Sequence, residues 1–194
     1  MESKEKNTKE KILEEALKLF AQSGYMGTSM NDIASKLGVT KAALYKHYKS
    51  KQEILDSIIE KMNELDIERV KLYEMPEGDL EKVTAEYKET AFDKIKQFTK
   101  VQFLHWTEEE FSSCFRKMMT LEQYREPQMA QLYQNYLASG PLAYMEALFS
   151  GMLGDAEKAR QTALDFYGPI FLLYSIYDGA EDKSHVIKLL EEHM

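Results

Sequence analysis

The sequence predicts an all-α protein, and three observations support this fold class. Apolar residues recur every three or four positions along most of the 194-residue chain, which is the spacing of an amphipathic helix. No stretch alternates apolar and polar residues for long, so no sheet is expected. Helix-capping residues, serine or threonine before the apolar stripes and glycine after them, divide the chain into segments of helical length.

The N-terminal region begins with two predicted helices. Apolar residues at helical spacing run from residue 12 to residue 20, and Gly24 follows where a helix-ending glycine is expected. Ser29 and Asp32 form a variant of the capping box, in which an acid follows the capping serine by three residues. They predict the start of a second helix, which is expected to stop at Gly38.

Two further helices are predicted directly after it. Thr40 is placed to cap a short third helix, from about residue 41 to residue 46. Ser50 and Glu53 form a full capping box. This box predicts the start of a long fourth helix over residues 51–74, whose apolar positions keep the helical period.

The C-terminal region predicts a bundle of helices after the break at residues 75–78, where proline and glycine interrupt the pattern. One apolar stripe runs from residue 80 to residue 98, and Pro141 fits the first turn of a later helix. Pro169 lies inside a long stripe and predicts a kink or a short break. The expected domains are residues 1–50, a connecting helix and break over 51–78, and a helical domain over 79–194.

Charge is unevenly distributed along the chain. The 25 basic and 33 acidic residues give a formal net charge of −8. Residues 1–50 contain nine lysines, no arginine and six acids, which makes this segment +3 and leaves −11 for the other 144 residues. An acidic total argues against nucleic-acid binding only if the charge is evenly spread, so the basic N-terminal segment keeps that function open.

Several other classes of protein fit the composition poorly. The single Cys114 excludes an intrachain disulfide framework and a cysteine-rich zinc site, and it fits a reduced cytoplasm. The longest apolar run, residues 167–177, is shorter than the roughly 18 to 20 residues that a bilayer requires. The first residues are polar, which argues against a secretory signal. We therefore expect a cytoplasmic protein with no membrane partner.

Catalytic and metal-binding patterns are also missing from the sequence. No paired carboxylates, phosphate-binding glycine loop or metal-ligand spacing stands out, and Cys114 has no identifiable base partner. Glu108–Glu110 is expected to be a solvated first turn of a helix. The expectation is a protein that is not an enzyme and has no cofactor and no metal.

Residues 28–51 have the layout of a helix-turn-helix, with two short helices joined by a tight turn at Gly38. The second helix of such a motif enters the major groove of DNA. Ala43, Leu44 and Tyr48 are placed to face the core, which leaves Lys41, Ala42, Tyr45, Lys46 and His47 for the exposed face. Lysine bonds guanine, and methyl groups contact thymine. Lys51 lies at the amino end of the next helix, where backbone N–H groups favour a phosphate.

The same region resembles a known family of DNA-binding domains. The residues that carry the resemblance are Ile12 to Phe20, Gly24-Tyr25, Thr28-Ser29, Asp32-Ile33-Ala34, Leu37-Gly38-Val39, Leu44-Tyr45 and His47-Tyr48-Lys49-Ser50-Lys51. Over about residues 8–55 the sequence is similar to the DNA-binding domain of the tetracycline-repressor (TetR/AcrR) family. Beyond it the likeness is to the all-helical layout of that family. The resemblance implies an N-terminal three-helix helix-turn-helix domain followed by a helical bundle that binds a ligand and dimerises.

The resemblance also implies a function. It implies a ligand-responsive transcriptional regulator, expected to be a repressor, that binds a near-palindromic operator in double-stranded DNA as a homodimer. The residues that align with DNA contacts are Thr28, Ser29, Asn31, Lys41, Ala42, Tyr45, Lys46, His47 and Lys51. Among these, Asn31 replaces a basic residue that reads bases in some members. The alternative is a helical small-molecule-binding or protein-interaction module without specific DNA binding.

For the C-terminal region the resemblance implies an unknown effector, a small apolar or aromatic molecule. The abundant tyrosine, phenylalanine and methionine fit an apolar pocket and also an ordinary helical core. The residues expected to line a pocket are Phe103, Trp106, Phe115, Met118, Tyr124 and Tyr144, with His105 as a candidate hydrogen-bond donor.

The dimer interface is expected to be an isologous four-helix arrangement. Its expected residues are Met145, Phe149, Met152, Phe166, Ile170, Leu173, Tyr174 and Tyr177. The alternative is that these helices only cover the core of their own chain. The helix over residues 51–74 is the expected lever between the two domains.

Overall fold

The computed structural model describes residues 2–194 of the chain, with side chains from residue 7 onward, and this part of the chain is all-α. It forms eleven helices and no strand over that range: α1 (Glu2–Ser23), α2 (Met30–Lys36), α3 (Lys41–Tyr45), α4 (Lys51–Leu72), α5 (Leu80–Glu89), α6 (Phe92–Thr107), α7 (Glu110–Glu122), α8 (Pro127–Leu137), α9 (Ser139–Leu153), α10 (Ala156–Gly179) and α11 (Lys183–His193). None of the helices described is both long enough and apolar enough to cross a membrane.

The helices form two compact units that differ from the predicted domains. The N-terminal unit is the chain up to Ile67 together with Glu110–Gln131, and the C-terminal unit is Glu68–Glu109 together with Leu132–Met194. The predicted boundaries at residues 50 and 78 miss this division because α7 packs against α1. Hydrophobic periodicity reveals that a helix has an apolar face, but it does not reveal which helix covers that face.

The core of the N-terminal unit combines its first four helices with α7. Its fully buried side chains include Leu17, Phe20, Ile33, Leu44, Ile54, Leu55, Ile58, Met62, Phe115 and Met118. Leu44 belongs to the short helix α3, so the unit's own packing holds that helix in place. Burying a side chain of this size contributes about 1.5–3 kcal/mol.

The C-terminal unit is built around α10, which packs against α6, α9 and α11. Phe103 of α6 stacks on Tyr174 of α10, with ring centroids 5.2 Å apart and planes 7° from parallel. The hydroxyl of Tyr167 donates a 2.9 Å hydrogen bond to the carbonyl of Leu137. This hydrogen bond satisfies the polar end of the large buried ring of Tyr167, as a buried tyrosine requires.

Two details of the helices differ from the sequence prediction. The stripe over residues 80–98 is divided between α5 and α6, because Thr90 and Ala91 leave the helical conformation, with ψ angles of 128° and 133°. The Thr90 hydroxyl donates to the carbonyl of Glu86 at 2.8 Å, which satisfies a carbonyl near the carboxyl end of α5. At Pro169 a kink or a short break was predicted; α10 continues through this residue without a break, and a kink there stays a prediction.

Candidate nucleic-acid interface

The second helix begins at a complete capping box. The hydroxyl of Ser29 accepts from the backbone N–H of Asp32, and the Asp32 carboxylate accepts from the backbone N–H of Ser29 at 2.8 Å and from its hydroxyl at 2.6 Å. These hydrogen bonds from Ser29 lower the pKa of Asp32 below its ordinary value. The predicted cap is confirmed, and it fixes where α2 starts.

The third helix is fixed by a turn, a cap and a buried leucine. Gly38 has φ +66°, a backbone conformation that favours glycine, and it allows the chain to turn tightly between α2 and α3. The side chain of Thr40 accepts from the backbone N–H of Ala43 at 3.2 Å. Leu44 is completely buried. With one face of α3 anchored in this way, the opposite face is presented to solvent.

The exposed face of α3 carries most of the residues that the sequence assigned to DNA. Lys41, Ala42, Tyr45 and Lys46 are exposed, and His47 is half-buried. The ammonium of Lys41 lies 5.8 Å from the ring centroid of Tyr45. The face therefore offers two cationic donors, a methyl group and a phenol, which are groups that contact base edges and phosphates.

Residues of the first turn have different roles from those assigned by the sequence. Ser29 and Asn31 are exposed, but the N–H and the hydroxyl of Ser29 already donate to Asp32. Thr28 is buried, and its hydroxyl donates to the carbonyl of Gly24 at 2.9 Å. Its assignment beside a phosphate is therefore corrected: the side chain of Thr28 stabilises the turn between α1 and α2.

Lys51 also makes internal contacts, which sequence reasoning did not anticipate. Its ammonium donates to the carbonyls of Tyr25 at 2.5 Å and Thr28 at 2.8 Å, and it lies 4.3 Å from the centroid of the Tyr25 ring. Burial lowers the pKa of Lys51, and the charge of Glu122 opposes this effect. An ammonium has three donors, and two of those of Lys51 hold the turn, so its contact with a phosphate stays a prediction.

The geometry of this segment agrees with the comparison with known families. The family model described as "Bacterial regulatory proteins, tetR family" matches residues 12–58, which include the capping box, the glycine turn and α3. Residues 12–58 therefore match the tetR family, and we call them the tetR-family domain.

Curated relatives are similar to this chain only over a short segment. The biofilm operon icaADBC HTH-type negative transcriptional regulator IcaR of Staphylococcus epidermidis is 42% identical over 52 residues, which are 27% of this chain and 28% of that relative. A second relative with the same description, from Staphylococcus aureus (strain Newman), is 41% identical over 51 residues. The match thus spans less than a third of each relative.

Solved structures share a fold with nearly the whole chain, including the tetR-family domain. A transcriptional regulator from Aquifex aeolicus VF5 has a TM-score of 0.65 at 22% identity, covering 95% of this chain and 96% of that one. A transcriptional regulator from Saccharomonospora viridis, in complex with choline, has a TM-score of 0.64 at 18% identity, covering 96% and 95%. At this identity the likeness shows a shared fold.

The residues expected to line an effector pocket do not lie together in one unit. Phe115, Met118 and Tyr124 belong to the N-terminal unit with the tetR-family domain, whereas Phe103, Trp106 and Tyr144 belong to the C-terminal unit. Phe103 is fully buried against other rings, and Tyr124 is 90% exposed. The six residues therefore do not define one pocket within either unit.

His105 is engaged with its own chain and is not open to a ligand. Its side chain is fully buried, with Nδ1 2.7 Å from the Glu109 carboxylate and in contact with the Arg69 guanidinium. Burial lowers the pKa of His105 to about 4, so the ring is neutral near pH 7. The expectation that it donates to an effector is therefore replaced by a structural role.

Four of the residues expected at the dimer interface are buried within their own chain. Ile170, Leu173, Tyr174 and Tyr177 are buried in the C-terminal unit itself, and Phe166, Met145, Phe149 and Met152 are half-buried. On α10 the expected interface is therefore corrected, because a face that already packs on its own chain is not available to a partner.

Proposed function

We propose that this protein is a DNA-binding transcriptional regulator that represses its target genes and responds to a small effector. The observation that carries the proposal is the exposed face of α3, with Lys41, Ala42, Tyr45 and Lys46 on a helix anchored by Leu44. The tetR-family match of residues 12–58 supports it. The description of IcaR as a negative regulator supports repression. Such a protein acts where the chromosome is, in the cytoplasm.

The distribution of charge also supports DNA binding through the N-terminal segment. Residues 1–50, which contain α3, carry a formal net charge of +3, and the rest of the chain carries −11. Phosphate contacts supply most of the affinity of such proteins for DNA, and base contacts supply the sequence preference. The acidic remainder limits attachment to arbitrary DNA, so binding depends on seating α3 correctly in the groove.

A homodimer is proposed through the exposed face of α10. Leu164, Phe171, Leu172 and Ile176 are 38–59% exposed and recur at helical spacing. The small residues Gly168, Ser175 and Gly179 lie between them on the same face. A continuous apolar stripe with small residues is typical of a helix that packs closely against a second helix. A second copy of the chain supplies that helix in an isologous contact.

The effector is proposed to bind within the C-terminal unit, in the groove between α5 and α9. This groove has a volume of about 680 Å³ and is lined by Leu80, Glu81, Thr84, Ala85, Lys88, Glu89, Ala147 and Gly151. Its volume lies in the range of small-molecule sites, about 300–1,000 Å³. The lining combines aliphatic groups with charged ends, which suits a small molecule with an apolar body and a polar group.

Ala85→Trp tests the effector site. Ala85 is exposed on α5, so the indole fills the groove without displacing a core residue. A panel of aromatic acids, short-chain fatty acids and quaternary amines is screened for an increase in the thermal unfolding temperature of the wild type. The variant should lose the increase produced by any hit, whereas Glu86→Gln, a change of an exposed neighbour, should keep it. A hit that stabilises Ala85→Trp as much as the wild type contradicts this site.

The function is tested by selecting bound fragments of genomic DNA with the purified protein. Selected fragments should share a near-palindromic element with half-sites about 34–36 Å apart, one turn of DNA. Failure to enrich any element favours the alternative, a helical module without specific DNA binding.

Lys41→Ala should change which element is selected. Lys41 opens the exposed face of α3 and is aligned with a base-facing position, so losing its ammonium removes about 1–3 kcal/mol of discrimination at one base pair. Repeating the selection with this variant measures the change. Lys36→Ala, at the other end of the turn on α2, is the matched control and should leave the element unaltered. An element unchanged by Lys41→Ala would show that α3 does not read bases through this residue.

A further inference from the structure

A buried glutamate lies in the N-terminal unit, outside the exposed face of α3. Glu122, at the end of α7, has a fully buried side chain. Neither of its carboxylate oxygens accepts a hydrogen bond within the part of the chain that the structure describes. The guanidinium of Arg125 is 3.7 Å away and is itself 67% exposed. A buried carboxylate without hydrogen bonds is costly to keep, so its position calls for a physical explanation.

The turn between α1 and α2 lies directly against this carboxylate. Gly24 begins the turn, with φ +81°, and a Cβ built on it would lie 1.9 Å from Oε1 of Glu122. The carboxylate therefore occupies the space that any other residue at position 24 would need for its side chain. This close approach joins the end of α7 to the turn that leads into α2.

Lys51 is a second cation at this turn, bound to its backbone carbonyls, whereas Arg125 pairs with the carboxylate itself. The charge of Glu122 favours the charged form of Lys51, against the effect of burial. In that form Lys51 donates to the carbonyls of Tyr25 and Thr28. These two carbonyls lie just before Ser29, the cap of α2. Glu122 thus stabilises the charged ammonium at the place where it holds the turn together.

We propose that Glu122 is a positioning residue for DNA binding, which acts by holding Lys51 and the turn of residues 24–28 in the arrangement that presents Ser29 and α3 to DNA. The inference rests on the proposed function. It makes α7 part of the DNA-binding machinery, although no residue of α7 needs to touch DNA. A displacement of α7 against α1 would then change DNA affinity through this one carboxylate.

The first test is a double-mutant cycle on operator affinity. Glu122→Gln keeps the shape of the side chain and removes its charge, and Lys51→Met removes the ammonium and keeps most of the stem. Each single variant should bind the selected operator about tenfold more weakly, and the double variant should bind no more weakly than the weaker single variant. Fluorescence anisotropy at fixed salt measures the affinities. Additive losses, or a wild-type affinity for Glu122→Gln, would overturn the proposal.

The second test does not depend on DNA. The Lys51 side chain is titrated by NMR, and amide exchange is followed in residues 24–28. Glu122→Gln should lower the pKa of Lys51 and speed exchange in the turn, because the favourable charge is gone. Glu110→Gln, which changes an exposed glutamate on the same helix, should leave both unchanged. A role in packing alone would lower the unfolding temperature of Glu122→Gln without moving the pKa of Lys51, and that result overturns the proposal.

The two tests separate failure of this inference from failure of the proposed function. If the wild type shows no preference for any DNA, the proposed function fails, and with it the DNA-binding role of Glu122. The NMR titration then still decides whether Glu122 holds Lys51 in the turn. If the wild type binds its operator and the cycle is additive, the function stands and only the positioning role is overturned.

Discussion

Replacing Leu172 and Ile176 together by glutamate should convert the proposed dimer into monomers and weaken operator binding about a hundredfold, because the two half-sites are then bound independently. Both side chains are exposed on α10, at 59% and 41%, so the substitutions remove no core contact. In a dimer they would place four carboxylates in an apolar interface, where burying unpaired charge is prohibitively costly. Sedimentation equilibrium measures the association, and anisotropy with the selected operator measures the affinity.

Phe92→Glu provides the matched control for this variant. Phe92 is 64% exposed at the start of α6, so the same chemical change is made on an apolar residue outside the proposed interface. The control should remain dimeric and bind the operator normally. A Leu172/Ile176 variant that still sediments as a dimer would show that the subunits associate through another surface.

Gly24→Ala should destabilise the N-terminal unit by about 3 kcal/mol or more. At φ +81° an alanine costs roughly 1–2 kcal/mol in backbone energy. Its Cβ would also lie 1.9 Å from the Glu122 carboxylate, so the buried carboxylate must shift from its position. Urea unfolding, followed by the change in the transition midpoint at constant slope, measures the loss.

Gly38→Ala separates the two causes of this destabilisation. Gly38 has a similar φ of +66°, but a Cβ there would meet nothing within 4 Å. Its replacement should therefore cost only the backbone term, about 1–2 kcal/mol. Equal losses for Gly24→Ala and Gly38→Ala would mean that the carboxylate moves aside freely, and that the close approach of Glu122 to the turn has no energetic importance.

Local signals in the sequence were sufficient for the elements that present the candidate site. Ser29, Thr40 and Gly38 act within three or four residues of themselves, through a cap, a second cap and a tight turn. Such interactions depend little on the rest of the chain, so α2 and α3 begin close to where the sequence predicts. The burial of Leu44 and Tyr48 also follows from helical spacing.

The packing of helices that are distant in the chain could not be predicted from the sequence. Both faces of α10 are apolar, and periodicity does not distinguish Ile170, which is buried, from Leu172 or Ile176, which are exposed. The packing of α7 against α1 joins segments far apart in the chain, and it moves Phe115 out of the predicted pocket region.

The polar contacts inside the turn between α1 and α2 could not be predicted from the sequence either. A lysine at the start of a helix and a threonine beside a cap are usually solvated, so their pattern favours contact with phosphate. Lys51 and Thr28 instead donate to backbone carbonyls of the turn. Glu122 follows the apolar stripe of α7 and gives no sign in the sequence that its carboxylate is buried.

We propose that α3 gives this protein a sequence-specific interface for DNA. The most direct measurement compares its affinity for a selected fragment with its affinity for a scrambled fragment of the same length and composition, at physiological salt. We expect a ratio of about 10³ or more, with the affinity for both fragments falling as salt is raised. A ratio near one at every salt concentration would contradict it.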